Sequence, residues 1–267
     1  MRIAQARRMR NPMPRLSAVG AAALVLAASA LETSAQITEA PEPIALSWPH
    51  DGVFGTFDRA AAQRGFQVYR EVCSACHGLD YVAFRNLADL GFSEEQVRAL
   101  AAEYTVTDGP DDTGEMFERP AVPADPIPAP YPNPQAARAA NGGALPPELS
   151  LITKARANGT DYLFSLMVGY EEPPAEVEAP EGLYYNAYFP GHWIAMPPPL
   201  QEGLVAYADG TEATVEQMAA DVTTFLTWAG EPTLEARKQS GLKVMLFLIV
   251  LTGLCYATMR KVWAGAH

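Results

Sequence analysis

Val72-Cys73-Ser74-Ala75-Cys76-His77-Gly78 is the stretch on which this 267-residue chain turns. It holds the C-x-x-C-H spacing by which haem c is attached covalently. Two thiols three residues apart at a helix end can reach the two vinyl groups on one edge of a porphyrin. The histidine that follows then offers its imidazole to the iron from one face. A thioredoxin-type C-x-x-C would follow a strand in a βαβ pattern, which is absent before Cys73. A structural zinc site needs a second ligand pair, but the only other cysteine is Cys255 and there are 4 histidines in all.

A second axial position needs a ligand, and His50, His192, Met116, Met167, Met196 and Met218 are the available side chains. Thr214-x-x-Gln217 reads as a capping box, and Val215, Met218, Val222, Phe225 and Leu226 mark one apolar helix face behind it. Met218 therefore belongs to a core. Met167, in the apolar run Tyr162–Val168, reads the same way. Met196 precedes three prolines, which hold it extended and aim its thioether in one direction. His192 lies close by, so Met196 and His192 remain the two alternatives, with the proline-fixed loop favouring Met196. A Met ligand would raise the reduction potential relative to a bis-His iron.

Working outward, Phe57–Val72 reads as a helix running into the motif. Ser93-Glu-Glu-Gln96 is a capping box that opens a helix through Val97, Leu100 and Tyr104. Seven prolines between Pro120 and Pro134 forbid helix and central strand, which predicts an extended loop laid over the domain. Thr160–Val168 and residues 214–229 are further helices. There is no internal repeat and no run of alternating strands. The fold expected is mainly α: a cytochrome c-like haem domain with long Pro-rich loops and one C-terminal transmembrane helix.

The two ends set the compartment. Residues 1–15 carry five arginines and no acid, an Ala-rich apolar run extends to about Leu31, and Thr33-Ser34-Ala35 ends it. That is a secretory signal peptide over 1–35, with cleavage expected after Ala35. Val244–Met259 contains no charge and is flanked by Lys243 and Arg260-Lys261. A helix over 240–263 reaches the thickness of a hydrocarbon core. The organisation expected is an exported haem domain over 36–239, that anchor, and a cytoplasmic tail at 264–267.

Between residues 36 and 235 there are 30 acidic and 9 basic side chains, a balance of −21. Such a field argues against nucleic acid and anionic lipid and for a basic soluble partner, while an acidic surface that simply keeps an exported protein soluble accounts for it equally well. Two acidic clusters stand out: Asp108, Asp111, Asp112, Glu115 and Glu118, then Glu171, Glu172, Glu176, Glu178 and Glu181. With Cys255 inside the span, no disulfide framework holds the domain.

In order along the chain come Cys73–His77, Asp108-Gly-Pro, Gly114-Glu-Met-Phe117 and Tyr131-Pro-Asn-Pro134. After these come Ala136-Ala-Arg-Ala-Ala-Asn141, Gly143-Ala-Leu-Pro-Pro147, Glu181-Gly-Leu-Tyr184, Met196 with its prolines, Phe225-Leu-x-Trp228 and Glu231-Pro. Together with the C-terminal anchor, this series resembles the cytochrome c1 family over almost everything after residue 35. The resemblance implies that Met196, rather than His192, is the sixth ligand. It implies that Arg156 and Tyr162 attend a haem propionate, and that Tyr131, Asn141, Pro147 and Phe189 form pocket walls. It further implies a subunit of the bacterial cytochrome bc1 complex beside a cytochrome b subunit, in a dimeric assembly. There it would accept electrons from a Rieske iron–sulfur subunit and reduce a soluble basic cytochrome c or c2, with ubiquinol as the quinol oxidised. The haem domain would face the periplasm from the cytoplasmic membrane. His192 departs from the family's pattern, and the chain cannot form the extra haem-domain disulfide of some bacterial relatives.

Overall fold

The structure is a computed structural model that describes residues 40–175 and 177–265. The signal-peptide reading of residues 1–35, the cleavage site, Glu176 and the last two residues of the tail lie outside the described residues.

Helix α1, Arg59–Glu71, starts where the Asp58 carboxylate accepts from Ala60 N at 2.9 Å and Ala61 N at 3.1 Å. A carboxylate there satisfies two of the otherwise unpaired first-turn amides. Ala62, Phe66, Val68 and Tyr69 form its buried side. That side lies against α5, Val215–Gly230, whose Met218, Ala219, Val222, Phe225, Leu226 and Trp228 are also buried. The crossing is close because Gly65 stands in it: a Cβ there would meet Asp221 O at 2.0 Å and Phe225 Cβ at 2.8 Å. Arg64 closes the same contact by donating from Nε and Nη2 to Asp221 at 2.8 and 2.9 Å.

Helix α4, Gly159–Val168, also packs against α5, with Leu163 and Phe164 buried in the same core. The arm before α1 runs along α4, where Ile44 N donates to Ser165 Oγ at 2.8 Å and Trp48 Nε1 to Asp161 Oδ1 at 2.7 Å. Helix α2, Glu94–Ala102, opens with both halves of the Ser93/Gln96 capping box in place.

The proline-rich stretch is extended but less plain than expected. Pro126–Ile127 forms strand β4, paired antiparallel with β1, Leu79–Ala83, across a bulge. Strands β2, Thr105–Asp108, and β3, Phe117–Pro120, make a hairpin. Short strands β5, Tyr184–Tyr185, and β6, Trp193–Ile194, bracket the segment before Met196. Each is a two-stranded pairing, too short for sequence alternation to register. Helix α3, Pro134–Ala140, was not anticipated, although Asn133 caps it through Ala136 N at 2.8 Å and Pro134 opens it. Both are ordinary start signals.

Helix α6, Leu234–Trp263, is 30 residues long, or about 45 Å at 1.5 Å per residue. Only Leu234 in it is buried, and the large apolar side chains from Leu242 to Trp263 are exposed. It is one helix long and apolar enough to cross a membrane. Glu235 and Lys238, before the apolar part, hold it to the domain. Glu235 accepts from Phe57 N at 2.8 Å and from both outer nitrogens of Arg59 at 2.9 Å.

Candidate haem site

Cys73–Ala75 forms a single 3₁₀ turn directly after α1, so both cysteines and His77 leave the helix end together. His77 N donates to Cys73 O at 2.9 Å, which draws the motif into one coil. The two sulfurs are free, and both side chains are half-buried. Burial, with the neighbouring Cys76 thiol, pushes Cys73 up to about 12.

His77 is the most firmly positioned group. Its Nδ1 lies 2.7 Å from Pro147 O. A carbonyl can only accept, so Nδ1 carries the proton and Nε2 keeps its lone pair for a metal. Burial lowers the His77 pKa, against the opposing pull of that carbonyl, and keeps the ring neutral. The strap holding Pro147 is itself stitched to β1: Leu149 N donates to Gly78 O at 3.0 Å, and Glu148 accepts from Asp80 N at 2.9 Å. Tyr69 OH reaches His77 O at 3.2 Å from α1. Two free thiols beside a neutral imidazole with its outer nitrogen available are the donor set that covalent haem needs.

The other expected residues fall into groups. Asn141 Nδ2 donates to Tyr131 OH at 3.2 Å and to Ala137 O at 2.7 Å, joining two of the expected wall residues at the end of α3. Arg156 lies beside Tyr162, where its charge opposes the upward push of burial on the phenol. Tyr170 OH donates to Met196 O at 3.0 Å. Burial, with neighbouring Tyr162 adding to it, raises the Tyr170 pKa. Tyr170 was missed from the sequence, where nothing marks a tyrosine just beyond a helix as a clamp for a loop 26 residues later.

Met196 is half-buried, and Leu200 ends its proline run in the core. His192, its competitor, has φ +64°, stacks on Tyr185 with ring centroids 5.3 Å apart, and places Nδ1 3.4 Å from Asn186 O. Its ring packs within its own hairpin. Phe189 is half-buried in that hairpin's loop, and its carbonyl accepts from His192 N at 2.7 Å. Met218 is fully buried in the α1–α5 core, as its helix face required. Met116 lies exposed in the β2–β3 hairpin loop.

A C-x-x-C-H coil at a helix end, a neutral histidine fixed by a carbonyl, and a long apolar C-terminal helix as a candidate membrane anchor together define a c-type cytochrome. Residues 48–266 match the family model described as the cytochrome C1 family. The chain is 52% identical to a protein named cytochrome c1 from Rhodospirillum rubrum, over 81% of this chain and 85% of that one. It is 54% identical to the cytochrome b-c1 complex catalytic subunit, mitochondrial, of Candida albicans, over 83% of this chain and 77% of that one. It is 52% identical to cytochrome b/c1 of Bradyrhizobium diazoefficiens over 92% of its own length, but spans only 40% of that longer protein. The chain belongs to the cytochrome c1 family, and its cofactor is haem c.

Proposed function

We propose that this protein is the haem-bearing electron carrier of a cytochrome b–c1 complex. It would take single electrons from a Rieske iron–sulfur subunit and pass them to a soluble, basic cytochrome c. When bound, the haem supplies the one-electron ferric/ferrous couple, and the residues of this chain hold it and set its potential. Cys73 and Cys76 attach it, His77 ligates through Nε2, and Met196 gives the second ligand from a loop steadied by prolines and by Tyr170. Arg156 offers a charge-assisted pair to a propionate beside Tyr162. Tyr131, Asn141, Pro147 and Phe189 line the pocket. The haem domain faces the periplasm, the complex is dimeric, and its quinol is ubiquinol.

The observation that carries this reading is the His77–Pro147 clamp, which leaves one imidazole nitrogen free and fixed. A second feature separates it from a tethered shuttle. Only Glu231–Thr233 lie between α5 and α6, and Glu235 and Lys238 bind α6 back onto the domain. A site held at fixed height above a membrane suits a subunit of a complex better than a protein on a flexible tether.

The test is the reduced-minus-oxidised spectrum and potential of Met196→Leu beside wild type, with carbon monoxide added to each. A large fall in potential and new carbon monoxide binding confirm Met196 and a sealed six-coordinate carrier. A variant that stays six-coordinate with unchanged potential moves the ligand elsewhere, with His192→Leu next.

A further inference from the structure

The loop before α1 carries a feature that the electron-carrier reading does not use. Residues 49–56 fold back on themselves, with Asp51 N donating to Trp48 O and Thr56 N to Pro49 O, each at 3.0 Å. Its arms touch so closely that a Cβ on Gly55 would meet Asp51 O at 1.9 Å. The base is buried through Trp48, His50 and Phe57. At the tip, Gly52 turns the chain at φ +68°, while Val53 is 64% exposed and Phe54 80% exposed.

The direction of this loop can be read from its bonds to α6. Glu235 binds Phe57 N and Arg59, at the foot of the loop. Three residues further along the helix, Lys238 Nζ donates to His50 O at 2.6 Å and to Gly55 O at 3.3 Å, one carbonyl from each arm of the loop. Gly55 adjoins the tip at Val53–Phe54, and Lys238 lies four residues, about one turn, before Leu242, where the exposed apolar part of α6 begins.

We infer that Val53 and Phe54 insert into the headgroup–acyl boundary of the bilayer as a second membrane contact beside the anchor. The inference rests on reading α6 as the span. An apolar aromatic tip beside the helical turn that precedes a span is suited to the interfacial belt. Asp51 at the shoulder would stay among the headgroups. The double attachment would fix the tilt of the haem domain over the membrane, which a single helix leaves free.

The test uses the reduced holoprotein in phosphatidylcholine vesicles, in a Cys255→Ser background. One nitroxide label is placed at Phe54→Cys, Val250→Cys or Asp112→Cys, and collision with oxygen is compared with collision with a water-soluble nickel complex. The expected result is an oxygen-to-nickel ratio at 54 several-fold above that at 112 and below that at 250. A label at 54 as aqueous as that at 112, with 250 still deep, overturns the inference and leaves the anchor standing. An aqueous label at 250 removes the anchor reading itself. A label at 54 shielded from both agents means protein covers the tip, which also overturns the lipid assignment.

Discussion

His50 shows how one buried side chain couples this fold to pH. Its ring lies between Trp48 and Phe57, at centroid distances of 5.8 and 5.0 Å, and neither nitrogen has a partner. Burial lowers its pKa from the ordinary 6.5, with Asp51 pulling the other way and Lys238 adding to the fall. The unfolded chain therefore binds the proton more readily than the folded one. The stability that His50 contributes is present above about pH 6.5 and is lost as pH falls below it, by at most about 1.4 kcal/mol per pH unit. Urea unfolding at pH 7 and pH 5 should show His50→Phe losing less stability over that interval than wild type; equal losses would mean His50 does not carry the effect. The Arg64–Asp221 pair is the other sensitive point, because Asp221 is 1% exposed. Asp221→Ala strands a half-buried guanidinium, with only Asp209 left to it, and should cost about 3 kcal/mol in urea unfolding. Replacing both residues together, as Arg64→Met with Asp221→Leu, should recover most of that loss.

Among the elements, the crossing of α1 and α5 is the least forgiving, since Gly65 faces backbone rather than a side-chain end. Gly65→Ala must push the helices apart, at a cost of about 3 kcal/mol, seen as a lowered Tm. Gly52→Ala meets nothing within 4 Å and is penalised only by its positive φ, about 1 kcal/mol. If the two variants melted alike, steric closeness would not be what Gly65 supplies. The separation matters for function because α1 ends at the haem motif, so displacing it moves Cys73 and His77 together.

Across the whole molecule the dominant property is charge, and the structure divides its acidic clusters. In the first, Asp108 pairs with Arg119, and Asp111 accepts from Thr113 N and Glu115 N to shape its own turn. In the second, Glu171, Glu172, Glu178 and Glu181 are exposed and, among the described residues, make no salt bridge. Asp112, Glu115 and Glu118 of the first cluster are likewise exposed and, among the described residues, unbridged, so either cluster can serve the proposed attraction of a basic cytochrome c. Its reduction by this protein should slow steeply as ionic strength rises, and Glu171→Gln with Glu172→Gln should lower the low-salt rate and flatten that dependence. Stopped-flow rates that ignore salt, or a double variant that behaves as wild type, would remove these glutamates from docking.

What the sequence alone determined are the features written in adjacent residues. The haem coil needs five consecutive positions, the Ser93 cap needs four, and the membrane helix needs only an uninterrupted apolar run. Family membership follows from the same kind of information, motifs in order. Tertiary structure decided what depends on residues far apart meeting. Pro147 reaches His77 through a carbonyl, and every residue has one, so no side-chain pattern announces the clamp. Tyr170 under Met196, Lys238 on the loop at His50 and Asp221 against Gly65 are pairings of the same kind. They arise when packed helices and short strands bring distant groups within bonding distance, and a burial-driven fold does not spell out such distances along the chain.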